Sequence, residues 1–137
     1  MFLEIIFLIM LCITAVSDIK YRRIPNYMVI LMLIIGGINL VASETLLPHI
    51  IGIAFPAIVL LAFRKRHHIG FGDIKLTIAI GLYYGYLPAG IILVFAMLLC
   101  ACYGLLMKLK KHLEIKTVPF APFIFVFCLL AFLIEQI

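Results

Sequence analysis

Gly70-Phe71-Gly72-Asp73 places a carboxylate between a basic knot, Arg64-Lys65-Arg66-His67-His68, and an apolar stretch that opens at Ile74. A carboxylate there stands where water gives way to hydrocarbon, a costly position that marks an ionisable group as a functional candidate. The glycines at 70 and 72 remove side chains that would hold a neighbouring backbone away. Asp73 also has a plainer role open to it, since Asp ahead of an apolar run is a standard helix N-cap. The sequence has one other aspartate, Asp18, which closes the first apolar run beside Lys20-Tyr21-Arg22-Arg23. Two carboxylates brought close resist ionising together and share a proton. One then takes a proton from water while the other polarises a carbonyl, the division of labour that aspartic peptide hydrolysis needs. On the residues alone a second pairing of roles stays open, with Asp18 neutralising Arg22 or Arg23 and Asp73 capping a helix.

The elements that must position this pair are membrane helices. A chain of 137 residues that is 67% hydrophobic and 12% charged is too apolar for a soluble domain of that size. The predicted fold is all-α: one membrane-embedded domain over residues 1–137, with no soluble domain. Six apolar runs predict six transmembrane helices, at about 2–16, 27–41, 48–63, 74–87, 91–107 and 117–135. The first is expected to be retained as a span, because the acidic start Met1-Phe2-Leu3-Glu4 is unlike a signal peptide. Pro25 suits the first turn of the second helix, Asn39 is expected to bond a neighbouring helix, and Pro56 predicts a kink in the third. The fourth run, at about 21 Å of helix, is short against a hydrocarbon layer of about 30 Å. Tyr83, Tyr84 and Tyr86 are expected at the far interface, and Gly81 and Gly85 allow close helix packing. Pro88-Ala89-Gly90 is the predicted turn into the fifth run.

Charge sets the orientation. The net charge is +5, and the eleven Lys and Arg residues fall in three groups. These are Lys20/Arg22/Arg23, Arg64/Lys65/Arg66 with Lys75, and Lys108/Lys110/Lys111/Lys116. Basic groups at alternate loops are the positive-inside signature and suit anionic headgroups. Glu4, Glu44 and Glu135 fall on the other side, so both termini are predicted outside, in a multi-pass protein of the cytoplasmic membrane. Two crossings separate Asp18 from Asp73, which puts both at one depth near the cytoplasmic face. A nucleic-acid partner is not expected, because no aromatic-basic surface exists outside the spans. Cys12, Cys100, Cys102 and Cys128 form no C-x-x-C pair and read as small packing residues. His67-His68 has no third ligand beside it and reads as hydrated interface, so no metal and no cofactor is expected.

Ser17-Asp18 with Arg23-Ile24-Pro25-Asn26, followed by Gly70-Phe71-Gly72-Asp73-Ile74-Lys75-Leu76, resembles the type IV prepilin peptidase family. These are membrane aspartic proteases marked by Gly-x-Gly-Asp. Pro119-Phe120-Ala121-Pro122-Phe123 is similar to their proline-phenylalanine motif near the last helix. The resemblance implies that Asp18 and Asp73 are the catalytic pair, with Gly70 and Gly72 shaping the turn that presents Asp73. Pro25, Asn26, Lys75, Pro119, Phe120 and Pro122 are motif positions to which it assigns no role. The implied substrate is a prepilin or prepilin-like precursor with a short basic leader, cut on the cytoplasmic side, typically after a glycine.

Larger members carry an amino-terminal region with paired C-x-x-C motifs and also methylate the new pilin terminus. This sequence opens at the catalytic core and resembles the short, peptidase-only type of tight-adherence (Flp-type) pilus systems, so methylation is not expected. Basic loops repel a basic leader, so the substrate is expected to arrive through the shared bilayer. Two other classes stay open: a small ion- or proton-conducting bundle, and a non-catalytic membrane subunit of a pilus assembly platform. A channel predicts acids spread through the membrane depth, and the mid-span regions hold none. An inactive subunit has no need of both aspartates.

Overall fold

In a computed structural model, which describes residues 2–67, 70–110 and 118–137, the chain forms six helices and, among the described residues, no strand. They are α1 (Phe2–Tyr21), α2 (Asn26–Ala42), α3 (Leu47–His67), α4 (Phe71–Tyr84), α5 (Tyr86–Lys110) and α6 (Ala121–Gln136). Phe2–Tyr21 and Tyr86–Leu109 are long and apolar enough to cross a membrane. The Lys111–Lys116 part of the third basic group, with His68, lies outside the described residues.

Helical periodicity sorts each segment into an inner and an outer face. On α1 the buried positions Phe7, Leu11, Thr14 and Asp18 recur every three or four residues, while Ile5, Ile9, Ile13 and Val16 point out. The outer face is as apolar as the inner one, and α5 repeats this with Ile91, Val94, Phe95 and Leu98 exposed.

α4 is the central element, packed against α2, α3 and α5, and α6 closes on α1. Its tightest neighbour is α3, where Gly52 and Gly81 meet backbone to backbone with no space for a Cβ on either. That agrees with the close packing expected of Gly81. Because α4 has 14 residues, its last carbonyls end inside the bundle, where bare acceptors are expensive. Neighbouring helices supply the donors. Asn39 Nδ2 of α2 donates to the Tyr83 carbonyl at 2.9 Å, as expected of that residue. His49 Nδ1 of α3 bonds the Leu82 carbonyl at 2.8 Å, and its Nε2 lies 3.2 Å from Ser43 Oγ.

Several boundaries differ from the sequence expectation. α3 continues through the basic knot to His67, since Lys, Arg and His suit the negative end of a helix dipole. Pro56 lies within α3 without dividing it. α4 begins at Phe71 rather than Ile74, and the break before α5 falls at Gly85 rather than at Pro88-Ala89-Gly90. Gly85 adopts φ 78° and ψ −179°, a positive-φ conformation open essentially to glycine alone. Its N–H returns to the Gly81 carbonyl at 3.0 Å. Pro88 then falls in the first turn of α5, where a missing N–H is harmless. Of the three tyrosines expected at an interface, Tyr86 alone is exposed. Tyr83 is buried and stacks on Phe7 at 4.4 Å, with Tyr84 edge-on to the same ring at 5.9 Å.

Candidate active site

Asp18 sits in the last turn of α1, on its inward face, and is 7% exposed. The helix ends after Tyr21. Arg22 takes φ 51° and its N–H bonds the Asp18 carbonyl at 2.9 Å, a left-handed helix stop. A residue with a Cβ costs about 1 kcal/mol in that conformation. Ser17 Oγ donates to the Arg23 carbonyl at 3.3 Å, which folds the outgoing chain back beneath the helix end. Pro25 is the N-cap of α2, one position before the first turn where it was expected.

Asp73 is not the N-cap of α4, as its simplest reading had it. Gly70 occupies that position with extended φ and ψ, and Asp73 is the third residue of the helix. From there its carboxyl reaches back toward the Gly70 N–H, which favours its charged form, from the position the acid of a capping box occupies. Of the two glycines before it, Gly72 is the one that space requires. A Cβ at Gly72 would lie 3.1 Å from Ile24 Cβ, so α4 starts hard against the link that follows α1. Gly70 has φ −68° and ordinary room. Lys75 Nζ donates to Asn26 Oδ1 at 3.1 Å, tying the start of α4 to the start of α2.

The third motif arrives from the far end of the chain. The Ala121 N–H donates to Asp18 Oδ2 at 3.1 Å, and the neighbouring Phe120 N–H also favours the charged form of that carboxyl. Phe120 and Ala121 are buried, with Pro119 and Pro122 half-buried beside them. The starts of α2, α4 and α6 and the end of α1 therefore meet at one end of the bundle, and each of the three stretches that carry the family resemblance has a residue there.

The two aspartates lie near enough for the Asp18 charge to act on Asp73. Asp73, ahead of the apolar run from Ile74, is pushed up to about 6. Burial is the main cause and the Asp18 charge the second, with the Gly70 hydrogen bond opposing both. Thr14 and Thr77, one turn inward of each aspartate, are committed to the Met10 and Ile74 carbonyls at 2.8 Å. Cys100 of α5 is within electrostatic range of both carboxylates. Among the described residues no three His, Cys, Asp or Glu side chains converge as metal ligands. Chemically, two carboxyls within electrostatic range at one end of a helical bundle are able to share a proton.

Sequence reasoning gave Ile24 and Cys100 no role at the site and missed the Ala121 N–H. Ile24 and Cys100 are ordinary apolar positions, recognisable only from what packs against them. The N–H belongs to a backbone, and its one sequence signal was the pair of prolines around it.

No curated protein and no solved structure matches the chain. The model of the type IV leader peptidase family matches residues 5–105, a stretch that contains both aspartates and covers most of the chain, so this protein belongs to that family.

Proposed function

We propose that the protein is a membrane aspartic endopeptidase that removes the short leader of prepilin-like precursors near the cytoplasmic surface. Membership of a leader peptidase family supports the reaction class. The observation that carries the mechanism is the pairing of Asp18 and Asp73, the two aspartates of the sequence, from different helices at one end of the bundle. One carboxylate takes a proton from water, and the resulting hydroxide adds to the scissile carbonyl carbon. The other carboxyl delivers its proton to the carbonyl oxygen. Collapse of the tetrahedral species breaks the C–N bond, with the amine taking back the proton first removed from water.

The outer surface supports the location. α1 and α5 expose apolar side chains along their length, a surface that lipid covers and water does not. The six-span arrangement, with the basic groups inside and both termini outside, rests on charge sidedness. A precursor that shares the bilayer reaches the carboxyl pair from the side, and its leader stays in the cytoplasm.

The test is cleavage of a matched prepilin in membranes carrying Asp18→Asn or Asp73→Asn. Asparagine keeps the shape and the hydrogen-bond acceptor but cannot exchange a proton, so each variant is expected to fold and to lose cleavage. Substantial cleavage by either well-folded variant would falsify the pair mechanism.

A further inference from the structure

The Pro119-Phe120-Ala121-Pro122-Phe123 stretch lies beyond the residues matched to the family and has no part in the mechanism above. Its backbone donors can be accounted for one by one. Pro119 and Pro122 have no N–H to give. The Phe123 and Ile124 N–H groups return to the Phe120 carbonyl at 3.2 and 3.3 Å. Within 119–124 that leaves two donors, on Phe120 and Ala121: the Ala121 N–H goes to the Asp18 carboxyl, and the Phe120 N–H lies near enough to favour its charged form. The prolines thus strip the start of α6 of competing donors. The two that remain are adjacent and buried, at the positive end of a 16-residue helix.

Asp73 is held differently. Among the described residues it has the Gly70 N–H favouring its charged form, against the charge of Asp18. Hydrogen bonds from N–H groups favour a charged carboxylate, most of all where water is excluded.

We propose that the 119–122 turn is a positioning element that fixes Asp18 as the ionised member of the pair and leaves the shared proton on Asp73. The proposal rests on the peptidase reading and assigns its two roles. Asp18 takes the proton from water, and Asp73 gives its proton to the carbonyl oxygen. When the C–N bond breaks, Asp18 passes its proton to the amine, and a hydroxyl proton of the tetrahedral species returns to Asp73. One water is consumed and both carboxyls are restored. Phe120 and Ala121 act through Asp18 and are positioning residues.

The experiment uses the fact that the sequence holds two aspartates. Full-length protein made by cell-free synthesis with carboxyl-labelled aspartate gives two carbon resonances, assigned by the single Asp→Asn variants. In the otherwise native protein the Asp18 resonance is expected to titrate at the lower pH. Replacing the Ala121 amide by an ester, through lactic acid at that position, deletes one donor. It is expected to raise the Asp18 midpoint by about one pH unit, and the Asp73 resonance reports in the same sample that the fold is kept. An Asp73 midpoint below that of Asp18, or an ester that leaves the Asp18 midpoint in place, overturns the proposal. Neither readout depends on cleavage, so failure of the peptidase reading would show separately, as cleavage surviving in the Asn variants.

Discussion

Gly52 of α3 and Gly81 of α4 face each other backbone to backbone, and an added Cβ on Gly81 would fall on the Gly52 carbonyl. α4 carries Asp73 at its other end, so this contact sets how the helix lies against α3. Gly81→Ala is expected to force the two helices apart. Overpacking ordinarily costs about 1–3 kcal/mol, and here backbone rather than a flexible side chain must yield. Thermal unfolding in detergent checks this, with Gly37→Ala as the control, because nothing lies within 4 Å of a Cβ there. Equal melting of the two variants would contradict the contact.

The C-terminal end of α4 offers a second test. Asn39→Ala removes the donor to the Tyr83 carbonyl, and His49→Ala removes the partner of the Leu82 carbonyl. A buried acceptor left bare costs about 1–3 kcal/mol, so each variant is expected to melt earlier than the parent. Both groups serve neighbouring carbonyls, so the double variant should lose less than the sum of the two. Hydrogen exchange at the last turn of α4 would locate the loss.

Charge sidedness predicts topology. In a background without native cysteine, single cysteines in place of Ser43 and Lys111 are expected to react with impermeant reagent from opposite sides of the membrane. Labelling of both from one side would overturn the six-span arrangement, and with it the shared depth of Asp18 and Asp73.

Asp73 predicts a pH dependence with a definite sign. Its midpoint is raised to about 6, so the proton is held below that pH and lost above it. If Asp73 donates to the carbonyl oxygen, the rate of cleavage should fall as pH rises through about 6. By the same sign, the stability tied to protonated Asp73 is present below the ordinary Asp value of about 3.9 and is lost as pH rises through about 6. A cleavage rate that climbs steadily from pH 5 to 8 would remove Asp73 from the donor role.

Catalytic loss should also be non-additive. Residues that act as a unit lose nearly everything with the first substitution. The Asp18→Asn/Asp73→Asn double variant is therefore expected to be no worse than either single one. A further drop on combining them would show two independent contributions.

The sequence by itself determined the class of the protein and the identity of its unusual residues. Apolar runs too long and too frequent for a soluble core demanded helices, because a backbone in hydrocarbon must satisfy its own hydrogen bonds. Asp18 and Asp73 stood out because a carboxylate beside an apolar run is expensive. Asn39 stood out for the same reason, and it found its partner across a helix interface. Boundaries were less legible. α3 ran on through Arg64–His67 because charge is no barrier to a helix end, and the break before α5 fell at Gly85 because a positive φ outweighs a proline that fits a first turn. Tyr83 and Tyr84 turned inward because their face of α4 continues the stripe of Leu76 and Ile80, which composition alone does not show. Tertiary structure alone decided which groups meet: Ala121 and Asp18 are 103 residues apart, and the donor is a backbone N–H that every residue but proline carries. Pattern and composition describe side chains along a chain, whereas a hydrogen bond between distant segments depends on how the helices pack.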